Sequence, residues 1–384
     1  MAIQGLLRAA DGVGWNQEQR LWWLLWSGCP GIGAHRLVAI RDNFCGWAAA
    51  WGAPPEAFAA LAGFGAVGCR QLERYRAHWG PEPLSRFRLE LRGGRGVLVP
   101  ADPAFPPELL ALARPPLRLH WSGNGWLWPL LRRRQAIAVV GTRRPSMHGM
   151  AMAEAIGAAL AQAGWPVVSG LAEGIDGAAH RGCLSRGGRP VGVVGTPLER
   201  VYPRHHQQLQ AEVGARGLLV SELPAGTAVQ AGHFAARNRL QVGLARAVVV
   251  VECPLRSGAL QSANLAMQQE LPVWAVPADA GKASAAGSNR LLAQDATVLL
   301  EPADLIRQLG PGPLASPDPA APWAAHGTAR QADPALLEAL GRGSSLEQLC
   351  LLLEQPAASL ASRLLALELQ GLVRAEPGLC WRPA

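Results

Sequence analysis

The chain has 384 residues, enough to bury a sizeable core and to form two or three domains. Lys+Arg 36 against Asp+Glu 28 gives a net charge of +8, which favours a polyanionic partner; arginine supplies every basic residue except Lys282, a bias that GC-rich coding also produces. The seven cysteines are scattered without a CxxC pair, which excludes a zinc ribbon or thioredoxin-like site and fits reduced thiols in a cytoplasmic protein.

The N-terminus, MAIQGLLRAADG, lacks the charged and apolar regions of a signal peptide. LWWLLW (21–26) is too short to cross a bilayer, so no membrane partner is expected. Residues 1–80 are helical in pattern and rich in tryptophan, a residue that large cores favour. Two glycine turns there, CPGIGAHRLVAI (29–40) and LAGFGAVGCRQL (61–72), read either as phosphate-facing hairpins or as packing turns between helices. Residues 92–134 form a transition into the next zone. From 135 to 309, short β-branched runs alternate with helical stretches. Strands are expected at 137–140, 167–169, 191–194, 218–220, 248–251, 273–276 and 297–300, with helices such as 147–163 and 259–270 between them. This alternation predicts an α/β fold with a Rossmann-like, doubly wound parallel sheet. The run AVVVVE (247–252) has no polar alternation, as befits a central strand covered on both faces. Residues 310–333 are rich in proline and alanine and read as a linker. The tail, 334–384, shows helical patterns at 334–340, 345–354 and 357–370, then a small β-wing, RAEPGLCWRP. That order fits a winged helix or a plain helical bundle.

The chemistry gathers at the strand ends. The first strand runs into GTRRPSMHG (141–149), and a strand that ends in glycine at a helix entrance often meets a phosphate. A dinucleotide fingerprint needs GxGxxG and an acid after the second strand, and a P-loop needs GxxxxGK[ST]; neither is present. A nicotinamide cofactor is therefore not expected. SGLAEGIDGAAH (169–180), GVVGTPLERVYP (192–203) and ECPLRSGALQSA (252–263) repeat the device. In a parallel sheet these turns line up along the carboxyl edge and offer backbone N–H groups to several phosphates, or simply permit tight turns. GHFAARNR (232–239) places Phe234, Arg237, Asn238 and Arg239 within six residues. Arginines hold phosphates and a ring stacks a base, which suits single-stranded nucleic acid. Asp176 and His180 share a helix face at i, i+4, either as an acid/base pair or as a helix-start acid pinning a histidine. No matching nucleophile lies nearby, so no catalytic residue and no metal ligand is assigned. Glu252 is the other candidate acid, or the orienter of an arginine.

Seven motifs occur in order: GTRRPSMHG, VVSGLAEGIDGAAH, GVVGTPLERVYP, SELPAGT, GHFAARNR, VVVVE…RSGALQSA and GSNRLL. Together they resemble the DNA-processing protein A (Smf) family of natural transformation, over residues 96–309. The resemblance implies an N-terminal SAM-like helical domain (1–80), an extended Rossmann-like domain (81–309), a linker and a winged-helix-like domain (334–384). It implies a non-enzymatic, homodimeric binder of single-stranded DNA that protects incoming strands, helps load RecA recombinase and needs no cofactor. Carried over by motif, its DNA-binding pocket comprises Gly141, Thr142, Arg143, Gly170, Gly174, Phe234, Arg237, Asn238 and Arg239, with Arg144 left at the surface. Thr142 replaces a common serine, Ala235 a common proline, and Ala259 and Ser262 a serine and a threonine, while Glu173 puts a negative charge in the second loop. The alternative is a nucleotide phosphoribohydrolase, whose PGGxGTxxE motif is absent here.

Overall fold

The computed structural model describes residues 15–61, 63–90, 96–315, 334–341, 344–369, 373–376 and 380–383. The N-terminal stretch read for a signal peptide and residues 316–333 of the expected linker lie outside them. The chain divides into two compact units, 1–316 and 317–384.

Among its described residues the first unit begins with six helices: Gln17–Gly28, Ala34–Asn43, Trp47–Gly52, Pro55–Ala59, Ala66–Trp79 and Pro83–Glu90. Asn16 and Gln19 form a capping box that starts the first, satisfying two otherwise unpaired backbone donors. Trp22, Trp23, Trp26, Trp51 and Trp79 are buried together in the helical core, so these tryptophans pack rather than present stacking surfaces. Arg36 donates to the carbonyls of Gly31 and Gly63, and so ties the two glycine turns to each other.

A nine-stranded sheet follows: β1 (Gly96–Leu98), β2 (Leu119–Gly123), β3 (Ile137–Val140), β4 (Val167–Ser169), β5 (Pro190–Val193), β6 (Leu218–Ser221), β7 (Ala247–Val250), β8 (Val273–Ala275) and β9 (Thr297–Val298). The spatial order is β1-β2-β6-β5-β4-β3-β7-β8-β9. From β6 to β9 every pairing is parallel, and the seven parallel strands stand where the β-branched runs place them. β1 and β2 extend this sheet antiparallel beside β6. The sequence shows this segment only as a transition because the two strands are short and flanked by proline. Alternate strand residues serve opposite faces. Ala138, Val140, Val248 and Val250 pack under helices Ala231–Leu244 and Gly258–Gln268. Ile137, Val139, Ala247 and Val249 pack under Met147–Gln162, Ile175–Ser185 and Pro302–Leu309. The start of the expected linker turns back onto the sheet unit, with Gly312 N–H bonded to Ala163 O at 2.7 Å and Leu314 N–H to Gly164 O at 3.0 Å.

The second unit has helices Pro334–Leu340, Leu346–Leu353 and Ala357–Leu369, and a three-stranded sheet of Ser344–Ser345, Val373–Glu376 and Cys380–Pro383. Leu336, Leu349, Leu360 and Leu364 form its core. Among the described residues no helix is long and apolar enough to cross a membrane, and no cluster of three His, Cys, Asp or Glu gathers as metal ligands.

Candidate functional site

The sheet builds outward in two directions from β3: β4, β5 and β6 lie on one side, β7, β8 and β9 on the other. The β3/β7 boundary is therefore the switch point where loops diverge and open a crevice at the carboxyl edge. A groove of about 820 Å³ lies there. The loop after β3 enters it because its backbone is pinned. Thr142 N–H donates to Glu252 O at 2.7 Å, and Ile175 N–H to Thr142 O at 3.2 Å. Ser146 caps helix Met147–Gln162 through Gly149 N–H.

Glu252 anchors this loop. Its carboxylate accepts from Ser146 N–H at 3.0 Å, Ser146 Oγ at 2.6 Å and Ser284 Oγ at 2.6 Å, with Lys282 Nζ 3.5 Å away. Burial pushes the carboxyl up, but the bonds from Ser146 and Ser284, with Lys282, outweigh it and hold it below the ordinary glutamate value.

Of the predicted residues, the structure brings Gly141, Thr142, Arg143, Phe234, Arg237 and Asn238 to the groove. Arg143 is exposed, its guanidinium 5.5 Å from the centroid of Phe234. The other neighbour of Phe234 is Tyr202, at 4.8 Å between centroids and 46 % exposed. An arginine, a phenylalanine and a tyrosine thus form one cationic-aromatic cluster. Asn238 donates to Gly258 O at 3.3 Å and joins the two helices that wall the groove.

Three predicted residues are not on its lining. Arg239 forms an ion pair with Glu222 at 2.7 Å. Gly170 and Gly174 lie behind. Gly170 N–H donates to Asp176 at 3.0 Å, and a Cβ on Gly170 would fall 1.9 Å from Arg237 Nη1. Gly174 has φ +81°, and its Cβ would meet Thr142 O at 2.5 Å, so it allows the first two loops to close on each other.

Arg237 is only 6 % exposed. Its guanidinium donates to Val193 O. Burial pushes it down to about 10, against the favourable charge of Asp176. Asp176 is raised by burial, while Arg237 and hydrogen bonds with Gly170, Ala172 and Ser169 oppose the shift. Burial pushes His180 down to about 3, so it is neutral at physiological pH and sealed from the groove. Asp176 accepts from Gly170 N–H and faces Arg237 rather than His180, so the structure shows neither the acid/base pair nor a histidine pinned by the acid.

Sequence reasoning missed Arg256, which lines the groove and is exposed, and Arg144, which lines it as well as facing solvent. Neither of them, nor Arg143, is in an ion pair among the described residues. The signal for Arg256 was its place just before the Ser257 cap of helix Gly258–Gln268. Tyr202 lay in a quoted motif without a role.

Residues 96–310 match the family model of DNA recombination-mediator protein A. The chain is 35 % identical over 305 residues to Protein Smf of Synechocystis, covering 78 % of this chain and 74 % of that one. It is 36 % identical over 289 residues to Protein Smf of Escherichia coli, covering 73 % and 76 %. Among solved structures, it resembles DNA processing protein A from Streptococcus pneumoniae with a TM-score of 0.62 at 27 % identity, over 76 % of this chain and 98 % of that one. It also resembles DNA processing protein A from Helicobacter pylori, a protein described for its single-stranded DNA binding mode, with a TM-score of 0.50 at 28 % identity, over 56 % and 95 %.

Proposed function

The chain belongs to the DNA recombination-mediator protein A family, and from that premise we propose that it binds single-stranded DNA in the switch-point groove and passes the strand to RecA recombinase. One observation carries the reading: Arg143, Arg144 and Arg256, exposed and in no ion pair among the described residues, line a groove whose wall holds Phe234, with Tyr202 packed against that ring. Free guanidinium groups neutralise backbone phosphates, and aromatic rings stack bases whatever their sequence. Within this reading Thr142 and Asn238 contact the strand directly. Gly141 and Arg237 form part of the groove wall, Gly170 and Gly174 shape it from behind, and Arg239 acts through Glu222.

The protein works in this reading as a binder, without a cofactor and as a homodimer. The full engagement of the Glu252 carboxylate by Ser146 and Ser284 supports a positioning role over base release from nucleotides. The C-terminal unit is assigned a winged-helix-like character, and residues 1–80 a SAM-like one.

The test is equilibrium binding of a fluorescent oligothymidylate across a salt series. Each phosphate contact on a single strand contributes about −0.7 to the slope of log K against log salt. Arg143→Ala should weaken binding and flatten that slope by roughly this amount. Parental affinity and slope in Arg143→Ala would place the strand elsewhere.

A further inference from the structure

A second groove, of about 750 Å³, opens on the other side of helix Ala231–Leu244. It lies where β5 and β6 end, at Val194–Gly195 and Glu222–Pro224, and it faces the helical N-terminal part of the chain through Gly33, Ala34 and His35. We propose that this groove is a second nucleotide site, which holds one phosphate against the first turn of helix Ala34–Asn43 and the guanidinium groups of Arg114 and Arg118.

Four observations support it. Helix Ala34–Asn43 begins at Gly33 with no side-chain cap, so its first-turn donors are not taken by a capping side chain and its positive dipole end faces the groove. Arg118 lines the groove, and burial pushes its guanidinium below the ordinary arginine range. Its hydrogen bond is to a neutral carbonyl, Leu24 O at 3.3 Å, and it is in no ion pair among the described residues. The carboxylate that acts on Arg118 is Glu222, which Arg239 already holds in an ion pair, so the arginines around this groove outnumber its acid. Arg237 reaches this groove as well, and its Nε has no hydrogen-bond partner although the side chain is 6 % exposed. Finally, the acid of the lining, Glu222, is already neutralised by Arg239 at 2.7 Å.

Beside Ser27 and His233, the walls include Pro115, Leu117, Leu223, Pro224 and Leu240, apolar surface suited to a base and sugar rather than to a bare inorganic anion. Both grooves lie at the carboxyl ends of strands in one parallel sheet, and helix Ala231–Leu244 is their shared wall. The occupant is therefore a nucleotide unit, supplied either by the continuation of a bound strand or by a free nucleoside monophosphate.

The proposal rests on the strand-binding reading for its first source only, and the experiment separates the two. Two variants alter exposed positions: Arg114→Glu with His35→Glu reverses charge at the rim, and Ala236→Trp fills the groove without a charge change. Each is compared with the parent and Arg143→Ala in binding oligothymidylates of about 5 and about 20 nucleotides, a span bracketing common single-strand site sizes, and in calorimetric binding of thymidine monophosphate. If the strand continues into the groove, both variants bind the long oligonucleotide about tenfold more weakly and the short one like the parent. If the source is a free nucleotide, both variants lose thymidine monophosphate and keep both oligonucleotides. A loss confined to the charge-reversed variant is a long-range field effect and overturns the site, as does parental behaviour of both variants. Failure of the parent to bind either oligonucleotide refutes the strand-binding reading alone, since the monophosphate arm still decides the groove.

Discussion

Gly170→Ala tests what Arg237 does. The added methyl would lie 1.9 Å from Nη1, 2.3 Å from Nη2 and 2.4 Å from Cζ of Arg237, distances no side chain tolerates. The guanidinium is 6 % exposed and bonded to Val193 O, and it can leave that place only toward the two grooves it lines. Alanine must therefore drive it from its place and deprive buried Asp176 of its compensating charge. Leaving a buried charge uncompensated costs about 3–5 kcal/mol; at the lower end that is roughly two decades in the folding equilibrium. For a unit of this size, a loss of ~3 kcal/mol lowers Tm by about 5 °C. Thermal melts followed by circular dichroism measure it. Arg237→Ala removes the same cation, so the double variant should melt close to either single one, since coupled sites are not additive. A Gly170→Ala protein melting within about 1 °C of the parent would refute the buried role of Arg237.

Other outcomes follow from the same geometry. Arg237→Ala should lower Tm and leave the salt slope of strand binding unchanged in the fraction that stays folded, in contrast to Arg143→Ala; a slope that falls by ~0.7 would make Arg237 a phosphate contact. Phe234→Leu and Tyr202→Ala should each weaken binding of oligothymidylate by about 1–3 kcal/mol, the range for base stacking, and leave an abasic strand bound as by the parent; equal losses on both strands would exclude stacking. Glu252 is held below its ordinary value in the folded chain, so its contribution is present above the unfolded glutamate pKa of about 4.3 and is lost as pH falls through the lower folded value. Glu252→Gln should therefore reduce Tm at neutral pH and flatten the decline of Tm in acid. A variant that declines in acid as steeply as the parent would assign that decline to other carboxylates.

The sheet was legible because its strands are short, β-branched and fully buried, as in Ile137–Val140 and Ala247–Val250. β1 and β2 were not, since three- and five-residue strands between prolines carry too little alternation to register. At the site, Arg143 and Phe234 were legible as a cation and a ring near a glycine edge. The depth of Arg237 was less so, although one signal existed. Arg237, Leu240, Gln241 and Leu244 are all buried, at the i, i+3, i+4, i+7 spacing of an inward helix face. The electrostatic cue of an RNR triplet concealed that phase. The Arg239–Glu222 pair was invisible because it joins a helix to a loop 17 positions earlier, and one sequence carries no record of such a meeting.

In the proposed role, these placements change how the groove attracts DNA. A row of glycine turns suggests backbone N–H groups offered to successive phosphates, but several of those donors are already used within the fold. Gly149 N–H is taken by Ser146 Oγ, Leu260 N–H by Ser257 Oγ, and Gly170 N–H by Asp176. Thr142 N–H goes to Glu252 O and Arg144 N–H to Thr142 Oγ1. The glycines instead admit close neighbours: Ile175 beside Gly141, Arg237 beside Gly170 and Thr142 O beside Gly174. Such packing makes the loops stiff, and stiff loops hold Arg143 and Arg144 at the rim with less entropy to lose when a strand arrives. In the proposed role, affinity then comes from side-chain guanidinium groups on a rigid frame, which Glu252 holds through Ser146 and Ser284 on one side and Arg237 and Asp176 hold behind the second loop.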